Sequence, residues 1–209
     1  MDYTPLLWIA AAPAAILGQI YLLGRKMSEP EKMLLPVAGG LTAQQREMIS
    51  HHKDWLASVG LEFRTCFQFG NIQVAVFQQG NLPRFFSFMF HQRITFSVES
   101  YLEDLTVLDT SSSGSLGLFP RPGAYAQSFP NVSAEETWRR HLEGEAHLTR
   151  KFGFAWVPLK RSYEEIMLAA VRIRMKYNRS QFLWPARVLY RYAVTRHRIA
   201  NRSIAQQFP

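Results

Sequence analysis

An uncharged apolar run at residues 5–23 constrains this chain more than any other feature. A helix rises about 1.5 Å per residue, so a hydrocarbon core of about 30 Å takes roughly 20 apolar residues to cross. The stretch from Tyr3 to Leu23 has that length. Tyr3, Trp8 and Tyr21 suit the headgroup boundary, and Gly24, Arg25 and Lys26 mark an exit into water. Pro13 is tolerable in a spanning helix when neighbours compensate for the lost hydrogen bond. A cleaved secretory signal would need a positive first segment and a terminal small-residue site. This chain instead begins Met1-Asp2-Tyr3-Thr4, and its alanines, Ala10 to Ala15, lie mid-run. Residues 1–26 are therefore expected to be a single transmembrane anchor.

Lysine and arginine stay preferentially on the cytoplasmic side of a span. None precedes the run, and Arg25, Lys26 and Lys32 follow it. The expectation is a single-pass protein of the inner (cytoplasmic) membrane, with its N-terminus outside and its C-terminal domain in the cytoplasm. The lone cysteine, Cys66, permits no internal disulfide and fits a reducing compartment.

Pro30, Pro36 and Gly39-Gly40 make residues 27–40 read as a linker, leaving residues 41–209 as one soluble domain. Thr42 with Gln45 is a capping-box pattern and Gly60 a stop, which predicts a helix over 42–59. Leu61, Phe63, Phe67 and Phe69 alternate with polar residues. So do Ile72, Val74 and Val76 after Gly70-Asn71, then Phe86, Phe88 and Phe90, then Ile94, Phe96 and Val98, with Leu105 and Val107 last. These segments predict an antiparallel five-stranded meander with one greasy face. A Ser-, Gly- and Pro-rich loop covers 109–132. Ser133 with Glu136 then opens a helix to about Lys151, and Pro158 and Pro185 delimit two more near 162–180 and 185–199. The predicted class is α+β, a spanning helix followed by a helix-packed sheet and ending in basic amphipathic helices.

Charge is distributed unevenly. From Lys160 to Pro209 there are eleven lysines and arginines against only Glu164 and Glu165, while elsewhere the two signs nearly cancel. The cations are interleaved with Tyr177, Phe182, Trp184, Tyr190 and Tyr192. Such a segment can lie on anionic headgroups or dock on neighbouring membrane-protein subunits, where arginine and aromatics are favoured. Alternatively, it is simply a solvated helix face. Nucleic acid is ranked last because no nucleic-acid motif accompanies the charge.

Catalytic patterns are thin. His141 and Glu145 are four apart on a predicted helix, with Glu143 and His147 nearby, but two ligands do not make a metal site and the HExxH order is absent. His52 sits on an apolar stripe. The serines from Thr110 to Ser115 are followed by Phe119-Pro120 rather than a helix, so they form neither a P-loop nor a nucleophile elbow. Cys66 has no nucleophile signature, and the sequons at Asn131, Asn178 and Asn201 read as chance. No catalytic, cofactor or metal residue is expected.

These readings converge on a non-catalytic, single-span accessory subunit of a larger membrane complex, with an electron-transport or photosynthetic assembly as one host. Its partners would be other membrane-protein subunits and the anionic bilayer. Ala10, Ala11, Ala14 and Gly18 would form a close-packing stripe, and Trp184, Arg187, Tyr190, Arg191 and Arg198 the contact surface. The alternatives are a membrane-tethered enzyme acting on a lipid or phosphorylated substrate around His141 and Glu145, and a peripheral anionic-lipid-binding assembly factor.

Overall fold

A computed structural model describes residues 15–19, 21–22, 34–37, 40–69, 71–113, 121–195 and 200–209. Its centre is one sheet in sequential order. The strands are β1 (Leu34–Pro36), β2 (Leu61–Phe69), β3 (Ile72–Gln79), β4 (Arg84–Phe90), β5 (Ile94–Tyr101), β6 (Val107–Ser111) and β7 (Ala124–Ser128). Helices α1 (Ala43–Ser50) and α2 (Lys53–Ser58) precede β2. Helices α3 (Ala134–Phe152), α4 (Tyr163–Ser180), α5 (Trp184–Tyr190) and α6 (Ile204–Gln207) follow β7.

The expected fold class needs correction in three respects. Among the described residues no helix is long and apolar enough to cross a membrane. Only residues 15–19 and 21–22 of the apolar run are described, both helical, and the rest lies outside the described residues. Hydropathy measures how apolar a segment is, not what covers it. Here the Tyr21 ring sits 6.4 Å from Trp184, against the domain's own α5. The single-pass inner-membrane topology therefore loses its support. Secondly, the sheet is not a five-stranded antiparallel meander. It is mixed, because β7 pairs with β6 in parallel, Val107 opposite Ala124 through Ser111 opposite Ser128. Thirdly, the chain does not end in a basic amphipathic helix. Its last helix, α6, folds back with Ile204 fully buried against Leu108 and Leu148.

Both faces of the sheet are greasy and both are covered. Leu56, Leu61, Phe77, Phe86, Phe88, Val98 and Trp138 form a core on one face, under α1, α2 and α3. On the other face Val74, Val76, Phe85, Tyr101 and Val107 meet Tyr163, Ile166 and Ala170 of α4. A bulge in β2, between Phe63 and Thr65, switches the strand's alternation. Leu61 and Phe63 consequently serve the first face, where Phe63 meets Phe77, and Phe67 serves the second. Without the extra residue the side chains on one side of the bulge would lie on the wrong face of the sheet.

Capping fixes the helices. Ser133 caps α3 by accepting from the Glu136 N–H, and Gly153 ends it in the left-handed conformation. Ser162 and Glu165 form a complete capping box on α4. Helix α3 lies close on β6 and β7 because Gly144 has no side chain: a Cβ there would stand 3.0 Å from Gln127 Nε2 and 3.1 Å from Leu108 Cδ2. Gly144→Ala is expected to lose about 1–3 kcal/mol to overpacking, more than the roughly 1 kcal/mol that alanine returns in helix propensity. A lowered midpoint in urea denaturation would show it.

Candidate functional site

The residues singled out around α3 do come together, inside the protein. Arg84 of β4 donates from Nε to Glu145 Oε1 at 2.8 Å and pairs a second time through Nη2 and Oε2. Glu145 also accepts from the Ser100 hydroxyl and lies 3.3 Å from His141 Nε2. Ser100 Oγ stands 2.8 Å from that same nitrogen, and His141 Nδ1 stands 2.9 Å from Thr110 Oγ1. Gln127 Nε2 donates to Thr110 Oγ1 at 2.9 Å and to the Arg140 carbonyl at 2.9 Å, while its Oε1 accepts from the Ile204 N–H at 2.8 Å.

Proton directions follow from this chain of bonds. The Ser100 hydroxyl gives its proton to Glu145, so its oxygen accepts from His141 Nε2, and Nδ1 of the neutral ring accepts from the Thr110 hydroxyl. The imidazole then carries hydrogen on Nε2, facing Glu145. Burial lowers the His141 pKa against the opposing pull of the Glu145 hydrogen bond, so the ring is neutral. For Glu145 burial alone would raise the pKa, but the bonds from His141 and Arg84 prevail and hold it at about 2. The result is an ion pair and a neutral histidine joining β4, β5, β6, β7, α3 and α6.

The network ties strands and helices together inside the protein. Ser100, His141 and Glu145 are all buried. Glu145 and Ser100 meet the same ring nitrogen, so no carboxylate orients the imidazole from its far side, as a nucleophile's base requires. His52 bonds Glu135 on the first turn of α3 at 3.3 Å, and His147 donates to the Phe208 carbonyl at 2.7 Å. Among the described residues no three His, Cys, Asp or Glu side chains could hold a metal ion.

A second polar set lies on the opposite face of the sheet, beneath α4. Glu99 and Asp109 stand directly opposite each other in the β5–β6 register. Tyr101 donates to Glu99 Oε2 at 2.9 Å and Ser97 to Asp109 Oδ1 at 3.1 Å. Burial, then the Asp109 charge, push Glu99 up to about 7, with Arg174 of α4 and the Tyr101 bond pulling back. Burial raises Asp109 as well, again opposed first by Arg174. Burial and then Glu99 raise Tyr101 and Tyr163 well above the ordinary tyrosine value.

The expected contact residues are scattered. Ala10, Ala11, Ala14 and Arg198 lie outside the described residues, and Gly18 is helical with open space where a Cβ would be. Trp184 is buried, Arg191 half-buried, and Arg187 and Tyr190 are exposed. The sequon residue Asn178 is 1% exposed, with neither side-chain polar atom hydrogen-bonded.

Between α4 and α5 the chain instead presents two residues not chosen from the sequence as contacts. Phe182 is 83% exposed and Leu183 61% exposed, the latter held at φ 52° and ψ 37°. A left-handed leucine costs about 1–2 kcal/mol, a strain that native structures concentrate at functional sites. Trp184 lies beneath this tip and carries Tyr21, whose neighbour Leu22 is 58% exposed. Lys176 and Arg179 lie exposed on the last turns of α4, and Arg187 on α5. These three exposed cations thus lie within six residues of the apolar tip along the chain. The signal in the sequence was the pair Phe182-Leu183 ahead of Trp184-Pro185, where the pattern breaks between two helices. Comparison with protein-family models, curated proteins and solved structures gives no match for this chain.

Proposed function

We propose that the protein is a non-catalytic accessory protein that lies on an anionic membrane surface, docking through the tip between α4 and α5. The observation that carries this reading is the exposure of Phe182 and Leu183 in a strained turn, with exposed Lys176, Arg179 and Arg187 within six residues of it along the chain. Apolar side chains pointing into water at a fixed position, beside cations of one sign, match the two layers of a bilayer interface. The acyl boundary takes the phenylalanine and leucine, and the headgroups take the lysine and arginines. Fully burying each apolar side chain is worth about 1.5–3 kcal/mol, and each cation near an anionic surface adds about 1 kcal/mol. Nothing in this docking requires a helix to cross the membrane.

The test is co-sedimentation of the full chain with vesicles of phosphatidylcholine alone or phosphatidylcholine with phosphatidylglycerol. Binding is expected only with the anionic vesicles, and it should weaken as salt rises. Phe182→Ser with Leu183→Ser is expected to lose about 2–4 kcal/mol of binding, roughly thirtyfold or more, with the thermal midpoint of the domain unchanged. A protein that stays in the supernatant with both vesicles would overturn the lipid reading. So would a double variant that binds like the original chain, since the docking would then lie elsewhere.

A further inference from the structure

Glu99 and Asp109 lie directly opposite each other on β5 and β6, where cross-strand Cβ atoms stand about 4.5–5.5 Å apart. Both belong to the face that α4 covers: Tyr101 and Val107, two residues along each strand, pack with Tyr163, Ile166 and Ala170 of that helix. The sheet offers the two carboxyls neutral donors, Tyr101 to Glu99 and Ser97 to Asp109. Arg174 of α4 is the cation that acts on both. His141 acts on Asp109 from the far side of the sheet, but its ring is neutral. Arg121 feels Arg174, Tyr101 and Asp104 instead. Tyr163 of α4 feels both carboxyls and Glu164, and neither it nor Tyr101 ionises in the neutral range. Arg174 balances one negative charge, so two ionised carboxylates leave an excess charge beneath the helix.

We propose that Glu99, Asp109 and Arg174 form a proton-operated latch on the C-terminal half of α4. With one proton on the carboxyl pair, residues 171–180 lie closed on the sheet; when it leaves, they open while the rest of the domain stays folded. The first half of α4 is fastened by the apolar contacts of Tyr163, Ile166 and Ala170. In the second half the buried residues are Met175 and Asn178. Asn178 lies one turn beyond Arg174 on the same helix face, 1% exposed, with neither side-chain polar atom hydrogen-bonded. A buried group left unsatisfied costs about 1–3 kcal/mol, which opening returns by hydrating the amide. Closure raises both carboxyls by burial against the pull of Arg174, and an uncovered pair returns toward ordinary carboxylate behaviour. The closed state therefore holds a proton that the open state releases. Its advantage is complete below 4.5, the ordinary value for Glu99, and is lost as pH rises through about 7. The latch acts whether or not the tip meets a membrane. Phe182 lies two residues past the end of α4, so opening also frees the segment that carries the tip.

Hydrogen exchange of the full chain at pH 6 and pH 8, corrected for intrinsic amide rates and read by mass spectrometry, tests the latch. Protection of residues 171–180 is expected to fall by about tenfold or more at the higher pH, while that of α3 stays within about twofold. Glu99→Gln carries no charge at either pH and still accepts from Tyr101, so it should keep its pH 6 protection at pH 8. Asp109→Asn should do the same, because Arg174 then balances the single carboxylate that remains. It also supplies the test if the glutamine variant does not fold. Equal protection of 171–180 at the two pH values overturns the latch. So does a fall of equal size in α3, which reports loosening of the whole domain. A fall that persists in both variants assigns the proton to another group and overturns it as well.

Discussion

Arg84→Met is expected to destabilise the domain by about 3–5 kcal/mol, the cost of leaving a buried carboxylate without its cation. The side chains of Arg84 and Glu145 are 13% and 5% exposed, and among the described residues no other lysine or arginine pairs with that carboxylate. Glu145 would have to stay charged without compensation or take up a proton and disrupt its bonds to Ser100 and His141. The double variant Arg84→Met with Glu145→Leu should recover most of the loss, because a buried pair replaced by apolar groups of similar size is often neutral. Urea unfolding of the two variants against the original chain measures both effects. A single variant within about 1 kcal/mol of the original would mean that water reaches the pair and screens it. The same network makes acid the weak side. Glu145, depressed to about 2, contributes stability that is lost as pH falls from its ordinary 4.5 toward 2. His141, also depressed, binds its proton more readily in the unfolded chain, so stability falls as pH drops below about 6.5.

Glu99→Gln should have the next largest effect, opposite in sign and confined to neutral and alkaline pH. The folded protein raises Glu99 from 4.5 to about 7, so in that window it binds a proton that the unfolded chain has released. Stability contributed by the protonated carboxyl is present below 4.5 and is lost as pH rises through 7. Above 7 the ionised Glu99 faces Asp109 across the β5–β6 pair, with Arg174 of α4 and the Tyr101 hydrogen bond pulling toward the charged form. Glutamine keeps the acceptor for Tyr101 and carries no charge. The variant is therefore expected to be more stable than the original at pH 8, by on the order of 2 kcal/mol, and nearly equal at pH 4. Thermal midpoints across pH 4–8 test this. A constant difference between the two chains would show that the pair is not responsible.

Elements whose residues carry local signals were legible in the sequence. The caps Thr42 and Ser133, the stop Gly60, and the alternating phenylalanines of β4 and β5 each act within a few residues, so spacing alone locates them. Three features were not legible. The Phe63–Thr65 bulge depends on the pairing of β2 with β3, and a strict period of two hides it. The parallel partnership of β7 with β6 follows a connection whose course no short-range pattern encodes. The predicted helix over 42–59 also divides at His51-His52, where His52 meets Glu135 and the rings of Phe88 and Phe96.

The sites divide in the same way. His141 and Glu145 stood out because i and i+4 share a helix face, but their partners Arg84, Ser100 and Thr110 come from strands far away in the sequence. Glu99 and Asp109, charged residues inside otherwise apolar strands, were the available clue to the second face, and only their register makes them neighbours.

By itself, then, the sequence determined the helix starts at Thr42 and Ser133, the alternating segments of β2 to β5, and the concentration of positive charge after Lys160. These depend on contacts between residues close along the chain. Tertiary structure alone decided that the apolar run meets α5 at Tyr21 and Trp184, that the last helix returns to the core, and that Phe182 and Leu183 stay in water. An apolar side chain has the same hydropathy wherever it sits, and what covers it depends on residues that only the folded chain brings alongside.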